Sequence, residues 1–318
     1  MADASVKQLL EGHPTNWGRW GPDDELGGLN FLTGAEVARG LKSITSNKTF
    51  ALSAVMGSPK GDPVWPGRSG AVKLMTQDKG HYVTGKLQPL PGGLEYADDY
   101  VTMFLQGSTQ FDALGHTWYD DQLYNGYDAA TTMGGLDKAS VLPLAEHTAS
   151  GHAVLLDVAR FRGKPHLAKG EQITLKDLED CAKKQGITIA KHDILLIRTG
   201  WLEVFYEQGA QVFYDPPFIE PGLVYSKQLV EWFHAMEIPL LGTDTIANEI
   251  TVDPNNGIVL PLHSALMRNL GVVFNEILLL DKLAADCAAD GKYDFFYTAA
   301  PLKVFRGTGA PVNPIVIK

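Results

Sequence analysis

Cysteine is nearly absent from this chain of 318 residues. Only Cys181 and Cys287 occur, too few for a disulfide framework and without the spacing of a metal knuckle. Long apolar runs are also missing, and none approaches the length that crosses a bilayer. There is no internal repeat and no low-complexity tract. Positive charge is in deficit: 27 Lys and Arg stand against 37 Asp and Glu, a net charge of −10. An acidic surface repels phosphate backbones, which argues against broad nucleic-acid binding. The first thirty residues hold Pro14, Trp17, Trp20 and several acids but no apolar signal-peptide core. The expectation is a soluble cytoplasmic protein with reduced, buried thiols and neither nucleic acid nor membrane among its partners.

What is present suits an ordered globular chain. Apolar residues at 45% and charged residues at 20% exclude a disordered or coiled-coil protein. The 33 glycines and 18 prolines are scattered, which predicts many short turns and no single linker. Residues 14–32 read as an irregular segment studded with aromatics. Thr33 and Glu36 form a capping box that opens a short helix. Residues 50–110 mix β-rich runs with turns. Beyond them, the apolar runs at 153–158, 194–198 and 238–241 have strand length. They alternate with helical patterns opened by Thr174 and Ser226, the first stopped by Gly186. This pattern predicts an α/β chain, a mixed sheet with helices packed on it. Residues 1–45 read as an N-terminal extension with an aromatic segment and short helix, and residues 46–318 as one catalytic domain.

Nine histidines occur, and most fit structural or surface roles. Residues 106–116 stand apart, with two carboxamides, a hydroxyl pair, a carboxylate and an imidazole close together. In an extended stretch Gln106, Gln110 and Asp112 share one face, with Thr109 and Phe111 on the other. Oxygens converging in this way suit a hard cation, though a polar strand edge has the same pattern. His116 follows after Gly115 lets the chain turn. A second cluster places His263 at the head of a helix that stops at Gly271, and Glu276 after a short strand near residues 272–274. Each also reads as a capped helix end and a solvated carboxylate.

Together these pieces resemble the cyclase family of metal-dependent hydrolases, which includes bacterial kynurenine formamidase and isatin hydrolase. The family motif H-x-G-T-H-x-D-x-P-x-H aligns with residues 106–116, where Thr109, Asp112 and His116 match. Asp62-Pro63-Val64-Trp65-Pro66-Gly67 resembles the family's W-P-G turn. Residues 192–201, the Gly242-Thr243-Asp244-Thr245 turn, Pro301-Leu302-Lys303 and Gly309-Ala310-Pro311-Val312 follow in the family's order. The resemblance implies a compact β/β/α-type fold, a homodimer or homotetramer, and hydrolysis of a small amide, lactam, lactone or imide. It also implies a divalent metal, manganese or zinc with magnesium as a further choice. By position, Gln106, Gln110 and Asp112 stand where the family binds metal, His263 and Glu276 complete the set, and His116 is the acid/base, with Asp112 beside it. Trp65 lies against the substrate, and Gln106, Gln110, Phe111 and Trp118 are further substrate contacts.

The departure from the family lies in the metal ligands themselves. Both metal histidines of the motif are glutamine here, and Leu114 replaces its proline. A carboxamide oxygen is a poorer zinc ligand than imidazole. Three outcomes stay open: a harder cation on oxygen ligands, one metal displaced towards Asp112, His263 and Glu276, or no metal and carboxamides bonded to substrate. Two other readings accompany the hydrolase: a catalytically degenerate small-molecule binder, and a lyase or cyclase acting on a polyketide-like substrate. Trp65, Phe104, Phe111, Trp118, Tyr119, Tyr124 and Tyr127 suggest an aromatic or flat substrate. Trp17 and Trp20 are expected to fold over a pocket of this chain or of a neighbouring subunit.

Overall fold

The structure is a computed structural model that describes residues 5–318. Its centre is a nine-stranded mixed sheet. In chain order the strands are β1 (Thr49–Ala51), β2 (Gln110–Asp112), β3 (Ala149–Asp157), β4 (Ile194–Arg198), β5 (Leu240–Thr243), β6 (Val273–Glu276), β7 (Asp294–Ala299), β8 (Gly309–Pro311) and β9 (Ile315–Ile317). Their spatial order is β1-β9-β7-β3-β4-β5-β6-β2-β8. Strands β3 to β6 run parallel, and the pairs outside them are antiparallel. The apolar runs read from the sequence are these parallel strands. Residues 153–156 and 194–197 are fully buried, because a parallel sheet is covered on both faces.

Helices form where capping and periodicity predict them. Gly34–Lys42 begins at the Thr33–Glu36 box and lies directly on β3, where a Cβ on Gly40 would meet the Gly151 backbone at 2.7 Å. Leu175–Gln185 starts at the Thr174–Asp177 box and ends at left-handed Gly186, and Lys227–Met236 is capped by Ser226. His263–Asn269 is a π-helix, a wider coil than the ordinary helix expected there. Cys181 and Cys287 are buried free thiols, pushed up to about 12 by desolvation. Among the described residues no helix is long and apolar enough to cross a membrane.

The N-terminal aromatics do not reach a pocket. Trp17 lies against the Arg268 guanidinium at 4.4 Å, and its ring N–H donates to the Arg268 carbonyl. Asn16 bonds the carbonyls of Asn269 and Leu270, so this segment caps the π-helix. Trp20 packs edge-on against Phe31. Within this chain the segment is a strap behind the helix, because free helix carbonyls give indole and amide donors a close partner.

One part of the fold projects. The strands Val72–Gln77 and Asp98–Thr102 form a separate two-stranded ribbon, exposed at nearly every position. Where the chain passes under the π-helix, space is tighter. Gly271 has φ +71°, and an added Cβ would lie 2.7 Å from both Gly27 Cα and the Tyr124 ring. Replacing Gly271 with Ala should cost about 3 kcal/mol, from left-handed strain plus overpacking. Urea denaturation measures it, and a loss below 1 kcal/mol would show that the strap yields.

Candidate metal centre and active site

Strand β2 alternates as its sequence dictates. Phe111 turns into the core with no exposed surface, while Gln110 and Asp112 face the other way. Phe111 is therefore a packing residue and not a substrate contact. The strand is shorter than the motif. Gln106 sits in the preceding turn, its amide donating to Thr308 Oγ1 at 3.0 Å. It lies against Gly309, where a Cβ would meet Gln106 Nε2 at 2.7 Å, and Gly309 is in register with Asp112. Gln106 thus reaches the neighbourhood of Asp112 from a loop. Thr109 fastens this edge by donating to the Ile277 carbonyl and accepting from the Ala54 N–H.

Strand β6 lies antiparallel to β2, which brings Glu276 opposite Gln110. The π-helix brings His263 to the same place. Ligand atoms of Asp112, His263 and Glu276 all lie within 4.8 Å of one another, and all three residues are buried. His263 Nε2 faces Glu276 at 3.6 Å. Its Nδ1 bonds Glu249 at 2.7 Å, and Glu249 is itself held by the backbone N–H groups of Leu262 and His263. A carboxylate behind the imidazole fixes the ring and aims Nε2 at the cluster.

Two carboxamides complete the surroundings. Gln110 donates to one Glu276 oxygen at 2.7 Å and Asn248 to the other at 3.1 Å. Three oxygens here are sealed from solvent without a donor: Gln110 Oε1, Asp112 Oδ1 and Asn248 Oδ1. Each such acceptor costs about 1–3 kcal/mol. Charge points the same way. Buried Asp112, Glu249 and Glu276 lie around the buried His263 imidazole, and buried Glu220 is close enough to feel the Glu276 charge. Burial and the Asp112 charge push Glu276 up to about 7, and burial holds Glu220 well above the carboxylate range. Desolvation lowers His263, but its bonds to Glu249 and Glu276 outweigh that and raise it. Orphaned oxygens among carboxyls crowded in the core, whose ionisation a bound cation would favour, fit a divalent cation. Asp112, His263 Nε2 and Glu276 are the residues that would hold it.

His116 follows Asp112 through a tight turn, with its N–H on the Ala113 carbonyl at 2.9 Å. It is half-buried. Desolvation lowers its pKa, Asp112 opposes this, and the charges of His263 and Arg68 add to the lowering. A neutral imidazole beside the metal residues can take a proton near pH 7.

A cavity of about 760 Å³ is linked to this region through Arg68, which lines it and donates to the Gln106 carbonyl at 3.3 Å. Trp65 lines it, with Phe218 edge-on at 5.9 Å and Phe205 and Tyr214 nearby. Of the other aromatics expected at the site, Tyr124 is core, Tyr119 lies under Arg268, and Phe104 and Trp118 are about 44–45% exposed outside this cavity. Arg68, Asn248 and Glu249 were not apparent from the sequence. Glu249 carries a usable signal, an acid flanked by the apolar residues Ile246, Ala247 and Ile250. The turn Gly242-Thr243-Asp244-Thr245 is structural: Asp244 accepts from the N–H groups of Thr199 and Gly200.

With this geometry in place, the comparisons decide the lineage. The family model Cyclase, "Putative cyclase", matches residues 48–250, more than half of the chain. This protein belongs to the cyclase family. The crystal structure of a novel cyclase is 37% identical, with TM-score 0.86, covering 96% of this chain and 100% of its own. Isatin hydrolase A from Labrenzia aggregata, bound to benzyl benzoate, is 18% identical with TM-score 0.61, covering 91% of this chain and 98% of its own. A predicted metal-dependent hydrolase from Bacillus stearothermophilus is 17% identical with TM-score 0.52, covering 85% and 97%. The last two likenesses concern the fold. No curated protein matches the chain.

The role of the rear carboxylate in this cyclase can be measured. Glu249→Gln should weaken Mn²⁺ binding about 10- to 100-fold while the circular dichroism spectrum stays unchanged. Titration calorimetry with Mn²⁺ gives the answer, and an unaltered affinity would remove Glu249 from this role.

Proposed function

We propose that this cyclase-family chain is a metal-dependent hydrolase of a small aromatic amide, lactam or related acyl bond. The observation that carries this reading is the convergence of Asp112, His263 and Glu276 within electrostatic reach of His116, and Arg68 connects that region to an aromatic cavity. Isatin, in the name of one structural neighbour, is an aromatic cyclic amide, which supports the same class of substrate. With more oxygen than nitrogen donors, Mn²⁺ is the metal of choice over Zn²⁺. Such a cation polarises a carbonyl and acidifies a water.

The protein groups supply the rest. His116, kept neutral by its surroundings, takes the proton of the attacking water and returns it to the leaving nitrogen. Asp112 lies beside it and stabilises the imidazolium formed in between. Trp65 and Phe218 hold the flat part of the substrate. Gln110 and Asn248 fix Glu276 through their N–H groups and leave their oxygens free. Gln110, at a motif-histidine position, and Asn248 therefore orient the Glu276 carboxylate. A degenerate binder would show no turnover, and a lyase would form product without water.

The chain is also proposed to work as a homo-oligomer through its projecting ribbon, with a second copy as the occupant. Leu74, Met75, Tyr96, Tyr100, Val101 and Phe104 are each roughly half exposed on it. An isolated ribbon of two strands is marginal in water. These half-exposed apolar side chains have no partner within the described residues, and a standard interface takes roughly 800 Å² from each partner. The buried free thiols agree with a cytoplasmic location.

Two experiments address these readings. In ¹⁸O-water with Mn²⁺, formanilide and isatin should give labelled carboxylate products, and His116→Ala should lower kcat about 10²- to 10⁴-fold without loss of fold. Unlabelled product would point to a lyase, and a wild-type rate in the variant would take His116 out of the mechanism. In light scattering, the wild type should be a dimer or tetramer and Leu74→Ser with Tyr100→Ser a monomer. A monomeric wild type would refute the interface.

A further inference from the structure

The sequence Trp65-Pro66-Gly67-Arg68 makes one tight turn. The Arg68 N–H bonds the Trp65 carbonyl at 2.9 Å, Pro66 occupies the first corner, and Gly67 takes φ +96° at the second. This is type II turn chemistry, with glycine where φ must be positive. Its effect is to set the indole of Trp65 and the guanidinium of Arg68 side by side on the wall of the 760 Å³ cavity.

The charged groups on that wall differ in how fully they are engaged. Lys60 bonds the Tyr206 carbonyl at 2.8 Å. Asp62 accepts from the backbone N–H groups of Gly57 and Ala71. Arg68 has one hydrogen bond, to the Gln106 carbonyl at 3.3 Å, although a guanidinium offers five donors. Among the described residues no carboxylate lies within ion-pair distance of it. Arg68 is half-buried on the wall of the aromatic-lined cavity, against the turn carrying Gln106. Most of its donors are thus left for a ligand in that cavity.

We infer that Arg68 is the specificity-determining residue of the cavity and binds a carboxylate on the aromatic substrate, beside the scissile acyl group. The inference rests on the cavity being the substrate's, and deepens the hydrolase reading by naming a substrate class: an aromatic acid amide. A planar guanidinium matches a carboxylate with two parallel bonds. A phosphate dianion suits the place less well. It would meet a single free cation, with the buried acids Asp112 and Glu276 behind it. Trp65, held next to Arg68 by the turn, then covers the ring that carries the carboxylate. Neutral aromatics would enter the same cavity but leave Arg68 unpaired.

The test uses binding, so it does not depend on turnover. Benzoate and benzyl alcohol serve as probes of equal ring size, titrated by calorimetry into full-length protein with matched metal content. Wild type should bind benzoate at least tenfold more tightly than benzyl alcohol. Arg68→Met should erase that preference, and Arg68→Lys should retain part of it, because an ammonium makes one bond where the fork makes two. Benzyl alcohol should bind wild type and both variants alike. Equal affinity of wild type for the two probes would overturn the inference, as would a preference that survives in Arg68→Met. If Arg68→Met does not fold, the wild-type ratio and the lysine variant still decide. A benzoate preference in a protein that hydrolyses no amide would keep this inference and refute the hydrolase.

Discussion

The site depends on how buried carboxylates are kept in place. Glu249, fully enclosed, grips the Leu262 and His263 backbone and the His263 ring together. That single side chain fixes the start of the π-helix and the direction of the imidazole. From there the contacts run on through His263 to Glu276 and outward to Gln110 and Asn248. Burial makes each bond strong and each omission expensive. Carboxyls crowd here in the core with acceptor oxygens left unpaired, so the fold holds a place for a cation at the edge of its own core.

The glutamine substitutions make sense in these terms. In the motif, imidazoles would stand at both positions as ligands. Here Gln106 is bonded to Thr308 and fitted against Gly309, while Gln110 braces Glu276. The metal residues that remain come from three separate strands or helices, and the resulting donor set is richer in oxygen. A site of this kind selects a harder ion than a site of several imidazoles.

Much of this was legible from the residues, for identifiable reasons. The parallel strands were visible because burial on both faces writes a continuous apolar run, and the helices because Thr33, Thr174 and Ser226 announce their starts. Asp112 and His116 were singled out by the motif spacing, and His263 and Glu276 by the family resemblance; the fold brings Asp112, His263 and Glu276 together. The alternation along β2 already placed Phe111 on the face opposite Asp112, so its assignment to the substrate conflicted with the pattern itself. Arg68, Asn248 and the wall of Phe205, Tyr214 and Phe218 stayed hidden. Their roles come from contacts across the fold, and no local periodicity marks a side chain for what it will meet 150 residues later.

The cap on the π-helix has a consequence for how the protein comes into being. Asn16 and Trp17 close off the end of the coil that starts with His263, some 250 residues downstream. A contact across so many intervening residues carries a high loop-closure cost. The indole of Trp17 therefore stays uncovered during folding until the coil it caps has formed.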